Sequence, residues 1–382
     1  MVVVYMIGIS RGLSRGRLST PTLSYSLCTL GALGISASKI GDVYRPAVRV
    51  WRCLETGEGM GVDDAFDEFQ KTVDADRDQV TLARDRRDTF KKAFGAEDDV
   101  TDVFGSGSLR RSTQLKPVHD VDLVIIYNQE DHPSWGQPGD SAKDALDYVR
   151  QRVNVLLGST YGTVDQLVRR ARWRNHAVKC FIDPPEDPDA FTVDAMPALR
   201  QSDGTLLIPE ALTNQWVVAD PEDLIRRVAE HQSDWRYFRP MVRVLKQWRH
   251  SVPVDGKIKS LVMEVLALEC MPRTGSRSAA LRAFFTAAAV RVNWDLVDPA
   301  GHCGLIQPDL DRAGLRTALE TASEIATRAC AAAANGDTDD ALRAWRKIFG
   351  SKFPAAEGKK TSHWGTAAVP ITPRPVRDAP QG

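Results

Sequence analysis

The sequence predicts an α+β protein of two lobes, a mixed β-sheet lobe packed on a C-terminal helical lobe. β-Branched runs such as VDLVIIY (121–127) fall before residue 217 and read as buried strands. From Asp220 onward, segment after segment carries apolar residues at threes and fours, the period of amphipathic helices. A chain of 382 residues that is 43% hydrophobic can fill a core of that size.

Fifty Lys plus Arg balance fifty Asp plus Glu. That balance excludes a broadly polycationic nucleic-acid coat, though not a local basic groove. The six cysteines stand far apart in the chain, which excludes a CxxC-type zinc site and argues against a secreted disulfide framework. No apolar run approaches the roughly 20 residues of a membrane helix. The expectation is a soluble, cytoplasmic protein with no membrane attachment.

Residues 1–59, rich in Ser, Gly, Leu and Arg, are expected to be a disordered extension or the product of a start placed too far upstream of Met60. From Val62 to Phe94 the apolar residues Phe66, Phe69, Val73, Val80, Ala83, Phe90 and Phe94 predict one long helix, stopped at Gly95. A strand is predicted over 100–105, a second over 121–127 and a helix over 141–157. Strands over 177–183 and 190–198 form a hairpin around a Pro/Asp loop. The Arg169, Arg170, Arg172, Arg174 run with Trp173 reads equally as a solvated helix face or as a basic path for RNA or phosphate. Asp220 followed by Pro221 caps the first helix of the second lobe. Five further helical segments follow, to about residue 353, with Trp235, Trp248 and Trp345 assigned to the core. The expected division is therefore 60–217 for the catalytic lobe, 218–353 for the helical lobe and 354–382 for a flexible tail with five prolines.

The segment that speaks of chemistry is GSGSLRRSTQLKPVHDVDLVIIY, Gly105 to Tyr127. A Gly-Ser pair at the start of a short helix offers backbone N–H groups and a hydroxyl to a phosphate. Asp120 and Asp122 open the following strand, where alternation points both carboxylates to one side. Two such oxygen donors suit Mg²⁺, which binds carboxylates together with substrate phosphates. Asp194, between Val193 and Ala195, is costly to bury unless paired or metal-bound. A phosphate cradle beside a metal pair implies phosphoryl or nucleotidyl transfer.

These elements resemble the polymerase-β-like nucleotidyltransferase superfamily. The preceding helix, together with RVLKQWRHS, KIKSLVMEVLALE and RAWRKIFGSKFP, resembles its bacterial cyclic GMP–AMP synthase-like and 2′-5′-oligoadenylate synthase-like branch. The resemblance implies a bilobed nucleotidyltransferase fold. It also implies catalysis and metal binding by Asp120, Asp122 and Asp194, with Mg²⁺ or Mn²⁺ as the ion. Gly107, Ser108 and Thr113 would fit the phosphate turn, with Gly105-Ser106 as a competing register. Lys246 would match a triphosphate lysine, its alternative being a solvated surface residue. Ser260 would match a phosphate-contacting serine, its alternative being a helix cap. His119 is expected to point away from the metal pair, and Leu261 stands where many relatives carry a base-stacking aromatic.

The implied function is template-independent joining of nucleoside triphosphates into a cyclic or short linear oligonucleotide messenger in antiphage defence, read by a downstream effector. Transfer of nucleotides to tRNA, an antibiotic or a protein is the alternative, and an inactive nucleotide-binding sensor a second. Nothing implies double-stranded DNA sensing, since no Cys/His cluster interrupts the chain. Gly382 is either an ordinary terminus or, by the resemblance, the point joined to a target by a ubiquitin-ligase-like enzyme.

Overall fold

Residues 60–158 and 167–356 are described by the structure, a computed structural model. The expectations for residues 1–59 and for Gly382 lie outside the described residues, as does most of the proline-rich tail.

Two helices open the described chain, α1 (Val62–Val73) and α2 (Arg77–Phe94), in place of the single helix expected. The backbone turns extended at Asp74. The carboxylate of Asp74 receives Arg243 Nε (2.6 Å) and Nη2 (3.1 Å), while Arg243 Nη1 donates to Ser112 O (2.7 Å). Val73 O accepts from Lys116 N (3.1 Å). The Lys116 bond takes up a carbonyl left without a helical partner at the break. The break divides the labour. Ala65, Phe66, Phe69 and Val73 of α1 pack into the helical lobe with Trp345, Phe349 and Phe353. Ala83, Phe90 and Phe94 of α2 pack against the sheet. The first helix thus belongs by packing to the lobe that the sequence reading began at residue 218.

The sheet lobe continues with β1 (Val100–Ser106), α3 (Gly107–Arg111), β2 (Asp120–Tyr127), α4 (Ser141–Leu156), β3 (Arg170–Trp173), β4 (Val178–Phe181), β5 (Thr192–Arg200), β6 (Leu206–Glu210) and β7 (Gln215–Ala219). The strand order is β1-β2-β5-β4-β3, with β6 pairing the far end of β5 and β7 pairing β6. Only β2 and β5 among these neighbours run parallel. Strand β2 is buried on both faces, which its Val/Ile-rich composition suits. Val121, Leu123, Ile125 and Tyr127 face α2 and α4, and Val124 and Ile126 face a smaller cluster with Ala198, Leu206 and Ile208. The predicted β4–β5 hairpin is present. The arginine run is an edge strand rather than a helix, and the β6–β7 hairpin was not anticipated.

The helical lobe comprises α5 (Pro221–Asp234), α6 (Phe238–Trp248), α7 (Ser260–Cys270), α8 (Arg277–Arg291), α9 (Arg312–Ala334) and α10 (Thr338–Phe349). Asp220, Asp311 and Asp337 cap α5, α9 and α10 by accepting from backbone N–H groups at 2.9–3.0 Å, each such cap contributing about 1 kcal/mol. Trp235, Trp248 and Trp345 lie in the core as expected. Among the described residues, no helix is long and apolar enough to cross a membrane.

Candidate active site

The site forms where β1 ends, β2 begins and β5 runs beside it. Gly107 sits at φ +65°, and a Cβ built there would fall 1.6 Å from Asp122 Oδ2. Only glycine lets the chain pass this close to the carboxylate while taking a left-handed conformation. The chain then enters α3 with Ser108 in its first turn. Gly105 and Ser106 lie within β1, so the turn falls at Gly107-Ser108 and not at the competing pair.

Asp120 opens β2 and is exposed; Asp122, two residues on, is half-buried. Asp194 is the direct partner of Asp122 across the parallel β2–β5 ladder, so both carboxylates share a face. Burial pushes Asp122 up to about 7, with the negative charges of Asp120 and Asp194 adding to it. Burial also raises Asp194, opposed by Lys179 and Arg174. The Asp194 Oδ1 atom is buried with no hydrogen-bond partner among the described residues. An orphaned buried oxygen beside two more carboxylates calls for a positive charge. The donor set is carboxylate only, which fits Mg²⁺ or Mn²⁺.

Next to Asp120 opens a cavity of about 340 Å³ whose lining includes Ser108, Asp120, Lys246 and Ser260, together with His119, Arg249 and His250. Hydroxyls and cations thus lie beside the carboxylates, as a triphosphate requires. A second cavity of about 420 Å³, between Trp248, Thr321 and Ile348, has no carboxylate in its lining and no part in this chemistry. Ser260 is the first residue of α7 and does not cap it; Lys259 holds the cap position. His119 lies against Asp189, its Nδ1 3.2 Å from the Asp189 carbonyl.

Lys246 is not a solvated surface residue: it is 2% exposed. Its Nζ donates to Thr113 O (2.9 Å) and Thr113 Oγ1 (3.2 Å) and pairs with Glu264. Glu264 also receives Arg111 Nε (2.7 Å) and Nη2 (3.3 Å) and the Thr113 hydroxyl (2.9 Å). Burial alone would raise the Glu264 carboxyl, but Lys246 and Arg111 outweigh it and hold it at about 2. Thr113, expected at the phosphate turn, is fully buried, with its hydroxyl donated to Glu264. Lys246 contributes to the cavity wall, but its ammonium is engaged with Glu264. Sequence reasoning missed Glu264, whose signal was an acid between Met263 and Val265 in an otherwise apolar helix.

Residues 60–231 match the family model of the Second Messenger Oligonucleotide or Dinucleotide Synthetase domain. A protein of Bacillus cereus, named a probable cyclic nucleotide synthase, is 24% identical over 339 residues, covering 77% of this chain and 98% of that one. The cyclic AMP-AMP-AMP synthase of an Acinetobacter species is 22% identical, covering 80% and 89%. In fold, the chain is similar to Escherichia coli CdnC, solved with ATP, at a TM-score of 0.59 and 15% identity, over 76% of this chain and 98% of CdnC. The three acids, the glycine turn and these likenesses converge: over residues 60–231 the chain is similar to the Second Messenger Oligonucleotide or Dinucleotide Synthetase family, and over most of its length to cyclic-oligonucleotide synthases.

Proposed function

We propose that the protein is a Mg²⁺-dependent, template-independent synthase that joins nucleoside triphosphates into a cyclic oligonucleotide messenger serving antiphage defence. The observation that carries this reading is the juxtaposition of Asp122 and Asp194 across one ladder, with the Gly107 turn against Asp122. The cavity of Ser108, Lys246 and Ser260 opens beside them. That CdnC was solved with ATP supports a nucleoside triphosphate as the ligand.

Asp120, Asp122 and Asp194 would hold Mg²⁺, or Mn²⁺ in its stead. The bound metal supplies charge compensation for the phosphates and acidifies the attacking hydroxyl. The protein's own groups do the rest. The N–H groups of the Gly107 turn and the hydroxyls of Ser108 and Ser260 hold the donor triphosphate in line. Asp194 takes the proton of the attacking ribose hydroxyl, its basicity raised by burial. The oxygen–phosphorus bond to the acceptor forms as the bond to pyrophosphate breaks. Lys246 lies in the cavity wall with its ammonium held by Glu264 and Thr113, behind the groups that would meet the phosphates. An effector that reads the product completes the proposal.

The test is chromatography and mass spectrometry of products from all four NTPs with Mg²⁺ or Mn²⁺. A phosphatase-resistant oligonucleotide formed with no added acceptor supports the reading. Labelling only of an added tRNA, antibiotic or protein would redirect it, and triphosphate binding without pyrophosphate release would overturn it.

A further inference from the structure

Glycines aside, two of the described residues take a left-handed backbone, Ser112 (φ 57°) and Asn214 (φ 53°). Asn214 lies in the turn between β6 and β7, where asparagine is among the residues that tolerate this conformation. Serine is less suited to it. Ser112 takes it at the end of α3 (φ 57°, ψ 39°), a position that in many helices falls to glycine. A disfavoured conformation persists only where its surroundings hold it, and such positions gather at functional sites.

The conformation has a local result. It reverses the chain after Arg111, so that Thr113 N donates back to Ser108 O (2.9 Å) and Ser112 N to Leu109 O (3.2 Å). The first of these is a 6→1 bond of the kind that closes a left-handed helix end. In a helix of only five residues, Gly107–Arg111, it reaches back to the opening turn. Ser108 lines the cavity beside Asp120, and the bond to its carbonyl depends on the backbone at Ser112. What holds Ser112 is Arg243 of α6. Its Nη1 donates to Ser112 O (2.7 Å), while its Nε and Nη2 grip the Asp74 carboxylate (2.6 and 3.1 Å). Two nitrogens on one carboxylate fix the plane of a guanidinium and so aim the third. Arg243 itself is not among the residues that line the cavity.

Resting on the proposed synthase reading, we infer that Arg243 is a positioning residue for the transfer. It keeps Ser112 left-handed, the Thr113–Ser108 bond then closes α3, and Ser108 with the Gly107 turn is thereby set in place beside Asp122. The other flank of the segment is fixed separately, by Arg111 and the Thr113 hydroxyl on Glu264. That second anchor holds the segment against the helical lobe, and Arg243 decides where its opening turn stands. The arginine acts through the backbone and not by touching substrate. Its loss therefore shows in turnover, because a misplacement of about 1 Å in a reacting group costs up to about a hundredfold in rate.

The test measures oligonucleotide formation by the full-length enzyme with Mg²⁺ and NTPs, well below the melting temperature of every variant. Arg243→Ala is expected to lower kcat about ten- to a hundredfold, with KM for the NTP changed less. Glycine adopts the left-handed conformation at no steric cost, so Ser112→Gly alone should stay within about twofold of wild type. Added to Arg243→Ala, Ser112→Gly should recover about three- to tenfold of the lost turnover. Arg243→Lys keeps the charge but not the fork and should resemble Arg243→Ala. Ser112→Val, with Arg243 in place, strains the same position and should lower kcat about tenfold. That variant tests the link even where Arg243→Ala does not fold. An Arg243→Ala enzyme with wild-type kcat would overturn the inference. So would a double variant no more active than Arg243→Ala, or equal activity in Ser112→Gly and Ser112→Val. A loss confined to KM would also overturn it, by making the arginine a ligand contact. If the wild type forms no oligonucleotide from any NTP, the synthase reading fails and takes this inference with it. That result is told apart because it appears before any variant is compared.

Discussion

Two groups of charge lie near the Gly107 turn, and they differ in one respect. Glu264 sits among Arg111, Lys246 and Thr113, and all its oxygens are claimed. Asp122 and Asp194 sit beside Asp120 with no cation inside ion-pair distance among the described residues, and Asp194 Oδ1 has no partner at all. The direction of each shift records the difference. Glu264 is carried down to about 2 and Asp122 is pushed up to about 7. A compensated buried charge fixes the position of elements, here α3, α6 and α7. An uncompensated one leaves electrostatic work for a ligand to complete.

The largest effect that would break this comparison concerns turnover. Asp120→Ala with Asp122→Ala removes two of the three oxygen donors and is expected to lower product formation by at least about a thousandfold, the scale at which charge-stabilising groups act, while far-UV circular dichroism stays the same. Product at near wild-type rates in the double variant would mean that the uncompensated group is not the reaction centre.

Next comes the compensated group. Glu264→Ala leaves Lys246 and Arg111 buried without their shared carboxylate, and breaking such a pair costs about 3–5 kcal/mol. The expected readout is a fall in denaturation midpoint with unchanged m-value. Glu264→Asp should recover part of it. A midpoint within error of wild type would show that the cluster positions nothing.

A smaller effect sharpens the site's geometry. Gly107→Ala must move either the turn or Asp122, because the new Cβ would lie 1.6 Å from Asp122 Oδ2. The left-handed backbone adds about 1 kcal/mol of strain for alanine. Reduced Mg²⁺ affinity in calorimetric titration, with the fold retained, is the expected result. Unchanged affinity would mean that the close approach has no bearing on the carboxylate.

How much of this could be read in advance follows from range. The Asp120/Asp122 pair, Asp194, the Gly107-Ser108 turn and the Asp220 cap were legible because each depends on a few neighbouring residues and on a period of two or a cap. The break at Asp74 was not, because the groups that bond to the chain there, Lys116 and Arg243, lie far along the sequence. Nor was the burial of Lys246, since only the tertiary fold brings Glu264 of α7 to it. The arginine run failed for a different reason. As an edge strand, β3 carries exposed residues on both faces, so the alternation that marks a half-buried strand is missing. Pro209 similarly weakened the strand signal of β6.

The smallest predicted effect tests the charge imbalance itself. With Asp122 raised from 3.8 to about 7, the folded protein keeps a proton between those values that the unfolded chain has released. Stability therefore falls as pH rises from about 4 to about 7, and the deficit is complete above that. Asparagine at this position carries no such proton. In EDTA, Asp122→Asn should be indistinguishable from wild type in this respect near pH 4 and more stable at pH 8. After allowance for screening of a half-buried group, the gain is about 1–3 kcal/mol. Added Mg²⁺ should narrow the gap by stabilising the wild type through binding. Thermal melts across pH 4–8, with and without Mg²⁺, measure both arms. A wild type more stable than Asp122→Asn at pH 8 in EDTA would mean that the carboxylates are already compensated by groups of the protein, Lys179 first among them, and that the two charge clusters are of one kind.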